Sequence, residues 1–366
     1  MKIIHILYSG LGGHGNVFFS MVEADEAKEF DFEALFTGTE NVRKEFIDKC
    51  KNFSLRYTYV NKIPGQKSFS FFYNILKTIL NSKADIIFLH GSMMMLPAWL
   101  AKKLSINIKK VVVRETQALH LKCGRDKAAF KVTMKLADDI IILSPEYARQ
   151  IEYDFGKNFR KEKIHIIPNG INLNFFKPNP KNISIEKKIG MQSRIVPIKD
   201  HKTLLAAFKI IIEKDPLQNF KLLIAGDGEM LDELKILAHT LKIDMHITFL
   251  GMLNEIDLPD FLNDLDIYVH ASFGETMSTA IMQAMACGKA TIASDVDGIK
   301  NMIKDGEDGL LVEVKNEKIL AEKILLLLND ENLKTNLEKG ARKKAETSFS
   351  NTRMFNSYKR IFQPSN

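Results

Sequence analysis

The sequence is short of several things at once, and each shortage removes a class of function. No run of about 18 uncharged apolar residues occurs in its 366 positions, so no membrane-spanning helix is expected. Its three cysteines, Cys50, Cys123 and Cys287, are scattered and out of metal-ligand spacing. That argues against a disulfide framework or a zinc site and fits reduced thiols in a cytosolic compartment. The motifs GxSxG and HExxH and a Walker-type phosphate loop are all missing, as are zinc fingers, basic repeats and aromatic RNA-binding signatures. Nucleic acid is therefore not an expected partner. There is no short-period repeat and no low-complexity tract. The opening MKIIHILYSGLGG leads straight into a strand and a glycine turn, so no cleavable leader is expected.

What is present points to a two-domain chain, on a prior of about 150 residues per domain. The net charge of +7 is unevenly placed: residues 1 to 170 hold 26 Lys and Arg against 18 Asp and Glu, the remainder 26 against 27. A basic first half suits peripheral contact with an anionic membrane or an acidic acceptor, although a solvated lysine-rich surface reads the same way. Lys2 to Tyr8 is an almost continuous apolar run that turns at Gly10, Gly12, Gly13 and Gly15 into a helical pattern. Strands are expected at 32–36, 55–60, 86–90, 110–113, 139–143 and 163–167, with helices at 69–80, 96–104, 127–136 and 145–155 between them. Such alternation means a parallel sheet covered on both faces. IPNGINLNFFKPNPKNISIEKK, from Ile167 to Lys188, breaks the period and reads as an interdomain linker. The alternation then resumes, with strands at 188–191, 220–225, 246–250, 267–270, 290–294 and 309–312. The fold class expected is thus α/β, two doubly wound Rossmann-like domains. Their boundaries fall at 1–172 and 173–348, and a final helix over 349–366 carries the stripe Met354, Phe355, Tyr358, Ile361 and Phe362. That stripe fits packing against either domain. Ligands of such sheets bind outside the carboxyl ends of the strands, so the site is expected in a cleft between the domains.

Chemistry-bearing residues cluster at those strand ends. Gly10 to Gly15 satisfies GxGxxG, which permits an NAD-dependent oxidoreductase, but the second strand ends without the expected ribose-binding acid and only Glu40 is near. The same glycines also suit a loop facing a diphosphate, or a bare turn. Arg194 and Lys199, five apart after a strand, are placed to neutralise a leaving diphosphate. Gly226-Asp227-Gly228 ends another strand and suits a nucleobase or ribose, or is a plain turn. His90 ends a strand in FLHGS and either donates to a sugar or is structural. The stretch ASFGETMSTAIMQAMACG, Ala271 to Gly288, reads as strand, turn and helix start near 276–278. The amides of Met277, Ser278 and Thr279 would then form an anion site. Glu275 beside it either meets sugar hydroxyls or caps the helix, a role Thr276 fills equally well. Asp264-Leu265-Asp266 and Asp295-Val296-Asp297 read Asp-x-Asp, without further ligands beside them.

Arg194 with Lys199, GDGE, FLG at 249–251, the Ala271 to Gly288 stretch followed by ASDVDGIKNMIKDGEDGLLV, and IPNGIN occur in one order and spacing. Together they resemble the retaining GT-B glycosyltransferases of family 4. The resemblance implies metal-independent transfer, with no cofactor, from a nucleoside diphosphate sugar, a UDP-sugar being the expected donor. A bacterial surface glycan or lipid-linked precursor would accept the sugar. It implies that Arg194 and Lys199 neutralise the leaving group, that Glu275 contacts the donor sugar, that Gly12 and Gly13 face the phosphates and that His90 lies near the transferred sugar. Gln283 stands where the family has its second Glu, the ribose ligand. A neutral side chain there also raises a non-catalytic nucleotide-sugar-binding protein as an alternative.

Overall fold

The computed structural model describes residues 1–10, 13–63, 68–116, 122–156, 160–179 and 186–363. Two compact units appear: residues 1–170 together with 351–366, and residues 171–350. The divisions fall two residues from the boundaries read in the sequence.

The first unit runs β1 (Lys2–Tyr8), α1 (Gly13–Ala24), β2 (Asp31–Gly38), α2 (Lys44–Asn52), β3 (Arg56–Asn61), α3 (Ser68–Ser82) and β4 (Ile86–Leu89). It continues through α4 (Met95–Leu104), β5 (Lys110–Arg114), α5 (Gly124–Leu136), β6 (Asp139–Ile142), α6 (Pro145–Phe155) and β7 (Ile164–Ile166). The strands form one parallel sheet in the order β3-β2-β1-β4-β5-β6-β7. Side chains alternate across each strand, so β1 feeds two cores. Ile4 and Ile6 face the layer of α3 to α6, while Ile3 and Leu7 face α1 and α2. Burial on both faces is why the strands read as unbroken apolar runs. Ser144 caps α6 by accepting from the Tyr147 amide, with Pro145 at the first helical position.

The second unit runs β8 (Lys187–Gln192), α7 (His201–Lys214), β9 (Phe220–Ala225), α8 (Leu231–Thr240), β10 (Ile247–Gly251), α9 (Leu258–Asp264) and β11 (Ile267–His270). Then come α10 (Thr279–Ala286), β12 (Ala290–Ser294), α11 (Asp297–Lys300), β13 (Leu310–Val312), α12 (Glu317–Asn329) and α13 (Glu331–Ser348). Its parallel order, β10-β9-β8-β11-β12-β13, is the doubly wound one. The stretch after Pro168 is not a bare linker. Phe176 is buried among Leu265, Met285 and Ala341. Arg342 Nη1 donates to the carbonyls of Phe176 and Ala286, at 3.1 and 2.7 Å. Residues 171–179 are therefore part of the second core.

The last helix, α14 (Asn351–Phe362), belongs to the first unit. Met354, Phe355, Tyr358, Ile361 and Phe362 are all buried beside Ile3, Phe30, Phe32 and Phe88. The Phe355 ring meets Phe30 edge-on at 5.8 Å, and Lys110 Nζ donates to the Ile361 carbonyl at 2.9 Å. Phe355→Ala should cost the first unit about 3 to 5 kcal/mol, as for other buried aromatic truncations. Calorimetry should then show one of two transitions lowered and the other unmoved; two unmoved transitions would contradict the packing.

Candidate functional site

In the second sheet the chain winds outward in opposite directions from β8 and β11, so a crevice opens at the carboxyl ends of these two neighbours. Gln192 ends one strand and His270 the other. The segment after β8 is zipped to the segment after β11: Asp200 N donates to Ala271 O at 3.1 Å, Phe273 N donates to Ile198 O at 2.9 Å, and Lys199 bridges to Ser272. Asp200 then caps α7 through the Thr203 amide. This pairing delivers Lys199 to Glu275, 76 positions away in sequence.

Lys199 Nζ and His270 Nε2, the latter at 2.8 Å, meet the same oxygen of Glu275, Oε1. The other oxygen forms no hydrogen bond with a described residue. His270 is 1% exposed, and burial first, then the charges of Lys199 and His201, hold its pKa well below the ordinary value, so it is neutral. The Tyr268 hydroxyl lies 3.1 Å from its Nδ1. Because the Glu275 carboxylate can only accept, the ring proton sits on Nε2 and donates to it. The Tyr268 hydroxyl, also 3.3 Å from the Gln192 carbonyl, has one proton for these two acceptors. Burial, and second the Arg194 charge, pull the Lys199 ammonium down to about 7; the carboxylate it touches opposes that pull. Neither Tyr268 nor His270 was singled out in the sequence, although His270 is the last residue of a strand whose end carries the site.

Arg194 is exposed and forms no ion pair among the described residues. Its loop is held by the turn after β9: Ser193 N donates to Ala225 O at 3.0 Å and Ile195 N to Asp227 O at 2.8 Å. A Cβ at Gly226 would lie 1.8 Å from Ser193 O, and one at Gly228 2.3 Å from Ile195 O, which explains both glycines. Their amides are spent, Gly226 on Gly251 O and Gly228 on the Asp227 carboxylate. The expectation that this turn offers backbone to a base or ribose is thus narrowed, since both glycine amides are engaged, and the turn also positions Arg194.

The start of α10 is also corrected. Ser278, not Glu275 or Thr276, is the cap, accepting from Ile281 N. The Ser278 amide is turned to the Met302 sulfur at 3.2 Å. The first-turn amides without a partner among the described residues are Thr279, as expected, and Ala280. Gln283 is 4% exposed and its Oε1 accepts from Gln192 Nε2 at 3.3 Å. Gln192 Oε1 is buried without a partner, a second amide at this strand end that the sequence reading did not name. The Asp-x-Asp pairs are engaged elsewhere: Asp264 with Lys188, Asp295 with Lys300. Among the described residues no group of three His, Cys, Asp or Glu side chains is placed to hold a metal.

At the corresponding point of the first sheet, between β1 and β4, His90 Nε2 lies 3.1 Å from His5 Nδ1. His90 and His14 each carry a buried Nδ1 without a partner, near the buried Arg114 guanidinium. Burial holds both imidazoles neutral, His14 at about 4. His90 lines two cavities, one of 310 Å³ with Glu115 and Lys122 and an apolar one of 340 Å³ with Phe71 and Met94. Gly13 opens α1, while Gly12 lies outside the described residues. Glu40, the acid considered for a dinucleotide ribose, is taken by the Tyr8 hydroxyl.

Two family models match consecutive parts of the chain: Glycosyltransferase Family 4 over residues 11–175 and Glycosyl transferases group 1 over residues 175–344. An uncharacterized glycosyltransferase of Methanocaldococcus jannaschii is 30% identical over 271 residues, 72% of each chain. The chain belongs to the group 1 glycosyltransferases. Also similar to this glycosyltransferase is the N,N'-diacetylbacillosaminyl-diphospho-undecaprenol alpha-1,3-N-acetylgalactosaminyltransferase of Campylobacter jejuni. It is 31% identical over 225 residues, 58% of this chain and 57% of that one. Four of the curated relatives are matched over only 50% to 61% of their own length. Anabaena HepE, crystallised with UDP and glucose, has the same GT-B fold, with a TM-score of 0.83 and 18% identity over 100% of both chains.

Two consequences of the geometry are open to measurement in the glycosyltransferase. A Cβ at Gly298 would lie 2.0 Å from the Glu275 carbonyl oxygen. Gly298→Ala should therefore displace the Glu275 loop, costing about 1 to 3 kcal/mol in urea unfolding and weakening donor binding in titration calorimetry; unaltered binding would show that the loop is not held from this side. Glu275→Gln removes the carboxylate that opposes the depression of Lys199. Lys199 is charged below its pKa, so nucleotide-sugar binding by the parent should fall as pH rises through about 7, and in the variant the fall should come at lower pH. Parallel pH profiles would contradict the pairing.

Proposed function

We propose that this glycosyltransferase moves a sugar from a UDP-sugar, with retained anomeric configuration and without a metal, to a lipid-linked or surface-glycan acceptor at the cytoplasmic side of a membrane. The observation that carries this is the Glu275 carboxylate, fixed through one oxygen by Lys199 and His270 with its other oxygen open, beside the exposed Arg194. The open oxygen suits sugar hydroxyls. The cations suit a diphosphate whose negative charge grows as the glycosidic bond breaks, and the Thr279 and Ala280 amides add donors. Gln192 and Gln283 suit the nucleoside ribose. No strong general base is required if the leaving phosphate oxygen takes the acceptor's proton. The UDP in HepE and the diphospho-undecaprenol acceptor of the Campylobacter relative support the choice of donor and acceptor class.

A purified protein that neither transferred nor slowly hydrolysed any of a panel of nucleotide sugars, with diphospho-polyprenol-linked acceptors supplied, would overturn the reading. A nucleotide-sugar sensor, which only Gln283 favours, would bind the donor and never turn it over. Arg194→Ala should lower the transfer rate on the order of 10²- to 10³-fold, the usual cost of one transition-state charge contact. It should not alter folding, since the side chain is exposed. An oxidoreductase acting through the Gly10 to Gly15 loop would be insensitive to it.

A further inference from the structure

The two helical layers of the first unit present different surfaces to water. None of the large apolar side chains of α1, α2 or α14 is exposed. On the opposite layer Met93, Leu96, Leu100 and Leu104 are exposed by 37, 59, 40 and 62%. Leu96, Leu100 and Leu104, four apart, form one stripe along α4, and Met93 lies in the 3-10 turn that leads into it. The neighbouring α3 adds Phe69 and Tyr73, one turn apart and 82 and 55% exposed, and Ile106 just beyond α4 is 99% exposed. The other neighbour, α5, shows Lys127, Lys131 and Lys135 at four-residue spacing, all exposed and in no ion pair with a described residue. Across α3, α4 and α5 there are seven basic residues and one acidic, Asp126.

An aliphatic stripe with aromatic residues on one flank and unpaired lysines on the other is the composition of a surface that lies in a membrane interface. A second copy of this chain fits poorly, because it would set lysines against lysines with a single carboxylate between them. No helix of the described residues is long and apolar enough to cross a membrane, so contact with a bilayer would be through such a face. Met93 also lines the apolar 340 Å³ cavity beside His90, so the turn leading into the stripe is a wall of that cavity.

We propose that the α3–α4–α5 layer is a docking surface for an anionic phospholipid bilayer, the α4 stripe entering the acyl boundary and the α5 lysines lying over headgroups. The inference rests on the reading of a lipid-linked acceptor only for its purpose; the surface itself is argued from its own side chains. The test is sedimentation of the full chain with vesicles of phosphatidylcholine, with or without phosphatidylglycerol, alongside UDP thermal shift and light scattering. The parent should bind the anionic vesicles, and high salt should release it. The triple variant Lys127→Glu, Lys131→Glu, Lys135→Glu should lose on the order of a hundredfold in affinity or more. Leu96→Asp with Leu100→Asp should abolish binding, and both variants should keep the parent's UDP shift. A parent that shows the UDP shift yet ignores anionic vesicles overturns the proposal, as does vesicle binding that survives both variants. A dimer that these variants dissociate would assign the surface to a second copy instead. Absence of any nucleotide or nucleotide-sugar binding would count against the transferase reading and not against the surface.

Discussion

One oxygen of Glu275 holds the second unit's site together. A carboxylate and an ammonium both withdrawn from water are costly unless each satisfies the other, and removing one partner leaves the other charge stranded. Lys199 supplies the charge and His270 the directed hydrogen bond. The imidazole does so as a neutral donor because burial keeps it from charging. The carboxylate, which can only accept, sets which imidazole nitrogen carries the proton. The rest of the site follows from the need to bring these groups together. The pairing of residues 198–200 with 271–273 delivers the lysine. The close approach of Gly298 lets α11 lie directly on the Glu275 backbone.

This arrangement distinguishes the two cations that spacing alone made look equivalent. Lys199 is already shared with a carboxylate, so an arriving diphosphate must compete for it, and any gain at Lys199 is offset by what Glu275 gives up. Arg194 carries an uncompensated charge at the exposed end of a loop, and the turn at Gly226 and Gly228 fixes that loop without burying the side chain. In the proposed reaction Arg194 would therefore offer the diphosphate a cation free of any competing carboxylate, and Lys199 one that it must share with Glu275.

The sheets were legible because a strand buried on both faces must be apolar throughout: β9, β11 and β12 coincide with the runs 220–225, 267–270 and 290–294. The misses have local causes. The short, mostly charged α2 is tied to the core by Phe46 and Cys50 alone, and α11 has four residues, too few to show a period. The segment 171–179 has the proline and asparagine content of a linker, yet Phe176 and the carbonyls bound by Arg342 make it core. In the site, residue types at strand ends were readable, since topology fixes where those ends lie. What they touch was not. Lys199 meets Glu275 across 76 positions and His5 meets His90 across 85, and no local pattern encodes either. The cap was misplaced by a few residues because Glu275, Thr276 and Ser278 are all acceptable capping types, and only the extended backbone of Ser278 decides among them.

Gln283, the departure from the family pattern, becomes intelligible once its surroundings are known. It is almost wholly buried, and the partner it faces is the side-chain amide of Gln192, not a cation. A carboxylate at this position would accept from the same Nε2 but would carry a charge into the interior with no described cation hydrogen-bonded to it, a cost of several kcal/mol in the absence of compensation. The neutral pair avoids that cost and leaves Gln192 Oε1 as a buried acceptor still lacking a donor. Buried acceptors are rarely left unpaired without a use. In the proposed reaction the ribose contact would then fall to an amide pair spanning β8 and α10 in place of one acidic side chain. On this argument Gln283 does not speak against a nucleotide-sugar site; its replacement is matched by the residue opposite.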